Sequence, residues 1–279
     1  MPLRLGSSTP SKLYLGSAEV TKAYLGATEV YSAGPALDPD AAAYITAVEA
    51  ADGQALEAAV VTAINDFVVG CKADGIWGAI KASAILAGAR TLTGALTPLV
   101  GPAPTNFNFV SGDYDRKTGF KGDGITKYLD TNRNNNADPQ NDNHNAFWLS
   151  TDITETTRIM SCGGAQTGVN SLFWFSNQFG ARNRNSAPVS FTSGVSGIGL
   201  VGVSRNNSAN VQLRVGGTTN TYPTVSQTPH NANIRLFQGD DAFYFDGRIA
   251  FYSVGEALDL SAFDTRVSAL MTAFNGAIP

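Results

Sequence analysis

The sequence predicts a mainly β protein: a two-sheet sandwich or jelly roll closed by a C-terminal helix, preceded by a small α-helical segment and an arm of short repeated strands. Beyond Asn106 the chain alternates apolar and polar residues in many short runs separated by Gly, Asn, Ser and Asp clusters. That is the pattern of an antiparallel sandwich rather than of βαβ units. Residues 38–87 are alanine-rich, with apolar residues at helical spacing. Residues 3–32 repeat one ten-residue phrase, LRLGSSTPSK, LYLGSAEVTK and AYLGATEVYS.

In the arm, apolar residues alternate (Leu3 and Leu5, then Leu13 and Leu15), and Gly6, Gly16 and Gly26 recur in register. The period of two predicts strands of four or five residues, about the length of one short hairpin arm, with bends at the glycines. A lone hairpin is marginal in water. The arm therefore calls for a partner surface, either further copies of itself or another protein; the alternative is a flexible, partly disordered arm.

Asp38 before Pro39 is a helix N-cap with proline at the first helical position. Tyr44, Ile45 and Val48 fall on one face of the helix that follows, which ends at Asp52-Gly53. Leu56, Val60, Ile64, Phe67 and Val68 mark a second helix ending near Gly70, and Ile76–Ala87 reads as a third, weaker one. LTPLVGPAPTNF is a proline-rich connector. The β runs follow: HNAFWLSTD, RIMSCGG, SLFWFSN, GLVGVSR, NVQLRVGG, ANIRLFQG and GRIAFYSVGE. Leu258, Leu260, Phe263, Val267, Leu270 and Phe274 then form the stripe of a closing helix with Gly276 as its stop. The expected divisions are an arm over 1–34, a helical segment with connector over 35–104, and the sandwich with its C-terminal helix over 105–279.

Composition narrows the function classes. With 279 residues, 15% charged, and a formal net charge of -4, the chain has no electrostatic footprint for nucleic acid; its densest basic site is the pair Arg182 and Arg184. Residues 1–30 lack the apolar core of a secretory signal, and no run of about eighteen apolar residues occurs, so neither a leader nor a membrane partner is expected. Two cysteines, Cys71 and Cys162, are too few for a disulfide framework and are read as reduced thiols.

Catalytic and metal chemistry find little to use. His144 and His230 are isolated and read as surface-loop residues. A glycosidase needs two facing carboxylates, yet Glu155 and Glu256 are the only glutamates after residue 105, and Asp240, Asp241 and Asp246 flank a hairpin turn. No catalytic residue, cofactor or metal ligand is assigned.

The most unusual polar stretch is DTNRNNNADPQNDNHN, from Asp130 to Asn145. Its amides suit sugar hydroxyls or, as oxygen ligands, calcium, but no EF-hand pattern is present; the competing reading is a solvated loop of Asx turns. Asn134, Asn135, Asn136, Asn141 and His144 are the candidate glycan contacts. Phe173, Trp174, Phe175 and Phe179 share one hairpin, and alternation sends Phe173 and Phe175 to one face and Trp174 to the other. Trp174 is suited either to stacking on a sugar ring or to packing.

SKLYLGSAEVTKAYLGATEVY resembles the N-terminal decapeptides of tailed-bacteriophage virion proteins. TGFKGDGITKYLDTNRNNNADPQNDNH, with YFDGRIAFYSVGEALDLSAFDTRVSAL, is similar to phage structural proteins that carry a concanavalin A-like (laminin-G-like) domain. The resemblance implies a virion component made in the bacterial host cytoplasm: a tail or head fibre, an appendage or a decoration protein. Leu5, Leu13, Tyr14, Leu15, Tyr24, Leu25, Val30 and Tyr31 would then dock the arm on other virion proteins or on further copies of the chain, with a trimer favoured. The displayed sandwich would contact host-surface glycan. Competing expectations are a purely structural decoration protein, a carbohydrate-active sandwich enzyme and a freestanding lectin.

Overall fold

A computed structural model describes residues 13–20, 22–32, 37–153, 156–164, 166–191, 197–239 and 243–279. The chain divides into two compact units, Met1–Pro39 and Asp40–Pro279.

In the first unit, β1 (Tyr14–Leu15) pairs antiparallel with β2 (Ala18–Glu19), and β3 (Lys22–Leu25) with β4 (Thr28–Ser32). Leu15 stands opposite Ala18 and Leu25 opposite Thr28, leaving two-residue turns at Gly16-Ser17 and Gly26-Ala27. Only the glycine of each turn has a positive φ, 66° and 63°. A type II′ turn asks for this at its first central residue. The repeated Leu-Gly is thus a hairpin device, used once in each of the two described copies. The first copy of the phrase, including Leu5, lies outside the described residues.

The second unit opens with α1 (Pro39–Asp52) and α2 (Ala58–Ala73). Proline occupies the first position of α1, and the helix stops at Gly53 as the sequence indicates; Tyr44, Ile45, Val48, Val60, Ile64, Phe67 and Val68 are all buried. The next segment departs from expectation. Ile80–Ile85 is a strand, β5, not a third helix. Every residue in it except Lys81 is buried, and Ser83 Oγ donates to the Tyr252 carbonyl at 2.6 Å. A strand covered on both faces reads as a continuous apolar run, which periodicity cannot separate from a buried helix. A short helix α3 (Leu92–Ala95) follows.

The remaining strands are β6 (Thr105–Phe107), β7 (Tyr114–Asp115), β8 (Gly119–Lys121), β9 (Tyr128–Asn134), β10 (Asn143–Leu149) and β11 (Thr157–Ser161). They continue with β12 (Asn170–Phe175), β13 (Gln178–Asn183), β14 (Val189–Ser190), β15 (Gly199–Arg205) and β16 (Asn210–Val215). The last are β17 (Thr218–Pro223), β18 (Asn233–Leu236) and β19 (Arg248–Gly255), before helix α4 (Leu260–Ala277). An eight-stranded sheet runs β17-β16-β15-β10-β19-β8-β7 with β5 also on β19; a seven-stranded sheet runs β14-β13-β12-β11-β18-β9-β6. The protein is mainly β, two antiparallel sheets forming a sandwich with a C-terminal helix.

Between the sheets, Phe109 bridges Phe120 and Phe237 at 5.2 and 5.0 Å. Polar groups cross the same gap: Asn170 donates to Asn143 at 3.3 Å, and Arg205 Nε to the Asn183 carbonyl at 2.9 Å. On the outer face of the eight-stranded sheet, Phe251 packs against Phe67 of α2 and Phe263 of α4, each at 5.7 Å. The central strands of this sheet are therefore covered on both sides, and β19 is buried from Ile249 to Gly255. Asp259 caps α4 by accepting from the Ser261 and Ala262 amides. The helix runs past Gly276 to Ala277, so Gly276 is not its stop.

Candidate functional site

The Asn-rich stretch is not a solvated loop. Asp130–Asn134 closes β9, Asn135–Ala137 is one 3-10 turn, and Asn143 already belongs to β10. Asn135 is fully buried; its amide donates to the Gly168 and His230 carbonyls at 2.9 and 3.0 Å, and its Oδ1 accepts from Arg184 Nε at 3.3 Å. The Arg184 guanidinium, also fully buried, donates to the carbonyls of Asn135, Asp138 and Pro139. Burial pulls its pKa down to about 10, which leaves it charged at neutral pH. Asn134 and Asn136 both donate to Asn231 Oδ1, and Asn141 Oδ1 accepts from Ser226 Oγ at 2.5 Å. The amides of this stretch are thus largely spent on neighbouring segments, at Gly168, Ser226, His230 and Asn231, and on Arg184. Asn135 is withdrawn as a glycan contact because it is inaccessible.

His144 is likewise corrected from surface residue to core. It has no exposed surface, its ring stands 6.0 Å from Phe263, and Nδ1 bonds the Glu256 carbonyl. A carbonyl only accepts, so Nδ1 carries the proton and Nε2 accepts from Ser253 Oγ at 2.8 Å. Burial lowers its pKa to about 4. The ring is a neutral structural pin between β10, β19 and the helix layer.

Cys71 and Cys162 are free and buried, with burial raising their thiols to about 12 and about 11. Among the described residues no group of three or more His, Cys, Asp or Glu is placed to hold a metal ion. Glu256 pairs with Lys81 at 3.0 Å, while Glu155, Asp240 and Asp241 lie outside the described residues.

A concave site does form on the outer face of the seven-stranded sheet, where strands β11, β12 and β13 run side by side. Its volume is about 340 Å³, and Phe173, Phe175, Arg158, Arg182, Ser171 and Phe243 line it. Cross-strand register builds it: Arg158 stands opposite Phe173, Phe173 opposite Gly180, and Ser171 opposite Arg182. Directly opposed residues share a face, and alternation keeps Phe175 on that face with Phe173. Gly180 leaves room for the Phe173 ring, since a Cβ on it would lie 2.2 Å from that ring and push it aside. The ring thus lies down over the next strand as a platform. Phe175 is 59% exposed, and the Arg158 guanidinium sits 5.1 Å from the Phe243 ring centre. Trp174, which alternation puts on the opposite side of β12, is half-buried with its ring edge-on to buried Phe179 at 4.8 Å, and it too lines the groove. A larger depression of about 520 Å³ beside Asp259 and Ser261 has no aromatic wall.

The sequence placed Phe173 and Phe175 on one face but did not connect them to Arg158 or Arg182, which lie on neighbouring strands. Alternating aromatics followed by a glycine and an arginine, as in FWFSNQFGAR, are the signal that was available. In the arm, Leu15 and Leu25 are 79% and 77% exposed, and Tyr14 and Tyr24 are also exposed; Leu13 and Val30 are half-buried. The Tyr31 side chain lies outside the described residues.

No protein-family model matches the chain, and no curated protein matches it. Solved structures similar to it include the binding domain of botulinum neurotoxin serotype D, at 10% identity and TM-score 0.46, covering 68% of this chain and 51% of that one. Domains LG4-5 of the mouse laminin alpha1 chain match at 13% identity and TM-score 0.36, covering 59% and 47%. Domain 4 of AbnA, an extracellular arabinanase from Geobacillus stearothermophilus, solved in complex with arabinotriose, matches at 16% identity and TM-score 0.36, covering 66% and 98%. The chain spans about half the length of the toxin and laminin chains.

Proposed function

We propose that this chain is a structural protein of a tailed-bacteriophage particle, a tail or head fibre or decoration protein, that displays its sandwich toward host-surface glycans. The groove on β11–β13 carries the glycan half of the reading. Aromatic faces offer the apolar C–H side of a sugar ring a stacking surface, and flanking polar groups serve its hydroxyls. The Asn134–Asn141 stretch is spent on the fold, which moves the proposed contact from that stretch to Phe173 and Phe175.

The arm supports the docking half. Its two described hairpins stand ten residues apart and leave Leu15 and Leu25 exposed at the same place in each. Large apolar side chains held out on two-stranded hairpins gain by being covered, roughly 1.5–3 kcal/mol per leucine. Covering by other virion proteins or by further copies of the chain fits, and repeated display raises the apparent affinity of a weak glycan site by about 10²–10⁴. The reading is tested by a glycan array and host-cell binding with the full chain and with Phe173→Ser/Phe175→Ser, together with antibody labelling of purified particles. Binding lost in the variant, with label on the particle, is the expected result. Unchanged binding rejects the groove, and unlabelled particles reject the virion role.

A further inference from the structure

Resting on the groove as a glycan site, we infer that its occupant is an acidic sugar, whose carboxylate lies against Arg182 and Ser171. Arg182 is half-buried on β13 and, among the described residues, its guanidinium makes no hydrogen bond or ion pair. Ser171, its register partner on β12, is 4% exposed, and its Oγ is buried without a hydrogen-bond partner. Both line the same groove, and none of its described lining residues is a carboxylate. An unbonded hydroxyl and an unpaired guanidinium on register partners leave hydrogen-bonding capacity that a ligand can meet. Buried polar groups are normally bonded, and a partly desolvated cation gains most from a fixed anion. Arginine presents parallel N–H donors that fit the two oxygens of a carboxylate.

The distances suit one sugar residue. Ser171 and Phe173 lie two positions apart on one strand, so the polar row and the aromatic platform are separated by ~7 Å. A ring stacked on Phe173 therefore projects an attached carboxylate toward Arg182.

The test uses the full chain on oligosaccharides containing glucuronic, galacturonic or N-acetylneuraminic acid, each presented beside its carboxyl-reduced form and beside sulfated neutral sugars. The expected result is at least tenfold stronger binding to one acidic form than to its reduced counterpart. Arg182→Gln should erase that preference and Arg182→Lys keep part of it, with unchanged melting temperatures showing that both variants fold. Equal binding to acidic and reduced forms, or binding only to sulfated sugars, overturns this inference while leaving the glycan reading intact. Binding to none of these probes or to any array glycan overturns both.

Discussion

The Arg184 guanidinium, fully buried, donates to the backbone carbonyl of Asn135 and, through Nε, to the Asn135 side chain at 3.3 Å. This contact ties the turn after β9 to the end of β13 and makes the Asn-rich stretch a structural clamp.

Removing either partner should therefore unfold rather than merely disarm. Arg184→Ala strands the buried carbonyls of Asn135 and Asp138 and the part-buried carbonyl of Pro139 and should cost roughly 3 kcal/mol or more, and Asn135→Ala about 1–3 kcal/mol, read from urea denaturation midpoints. Replacing Asn134, Asn135, Asn136 and Asn141 together by alanine should lower the melting temperature by several degrees. Variants within about 0.5 kcal/mol of the parent, the range of ordinary surface changes, would contradict the clamp.

His144 gives the fold an acid sensitivity of defined sign. Its pKa is about 4 when folded, against 6.5 for an exposed ring, because burial disfavours the imidazolium. The unfolded chain binds the proton more readily, so stability is fully present above about pH 6.5 and falls as pH drops toward 4, by roughly 3 kcal/mol in total. His144→Gln should flatten that slope even if it lowers stability at neutral pH. An equally steep slope in the variant would assign the effect to other groups.

The arm should drive association. Light scattering of the full chain is expected to give an oligomer, with a trimer favoured, and Leu15→Ser/Leu25→Ser or removal of residues 1–34 a monomer. A full-length monomer at the same concentration, with or without other virion proteins, would contradict the docking role.

Helix α4 should be part of the folding unit. Phe263 lies 5.7 Å from Phe251 and 6.4 Å from Phe67, with no exposed surface. Phe263→Ala should cost roughly 3–5 kcal/mol. Truncation after Gly255 should abolish the cooperative transition seen by calorimetry; a surviving transition would show the sheets to be self-sufficient.

Local signals were legible in the sequence, and long-range ones were not. The ten-residue spacing of Gly16 and Gly26 gave the hairpins, Pro39 and Gly53 bounded α1, and the 263-267-270-274 stripe gave α4, because each depends on neighbours in the chain. Ile80–Ile85 was misread because burial on both faces erases the period that distinguishes strand from helix. Asn135 and His144 looked solvated because their partners lie 49 and 112 residues away, at Arg184 and Glu256. The groove was half visible: alternation paired Phe173 with Phe175, but only strand register brings in Arg158 and Arg182.

Hydrogen–deuterium exchange of the full chain, with and without the tightest-binding glycan from the array, tests the central claim most directly. The account predicts slowed exchange confined to the segments carrying Arg158 and Ser171–Arg182, the floor of the aromatic groove. Protection that falls instead on residues 130–144, or nowhere on the seven-stranded sheet, would contradict it.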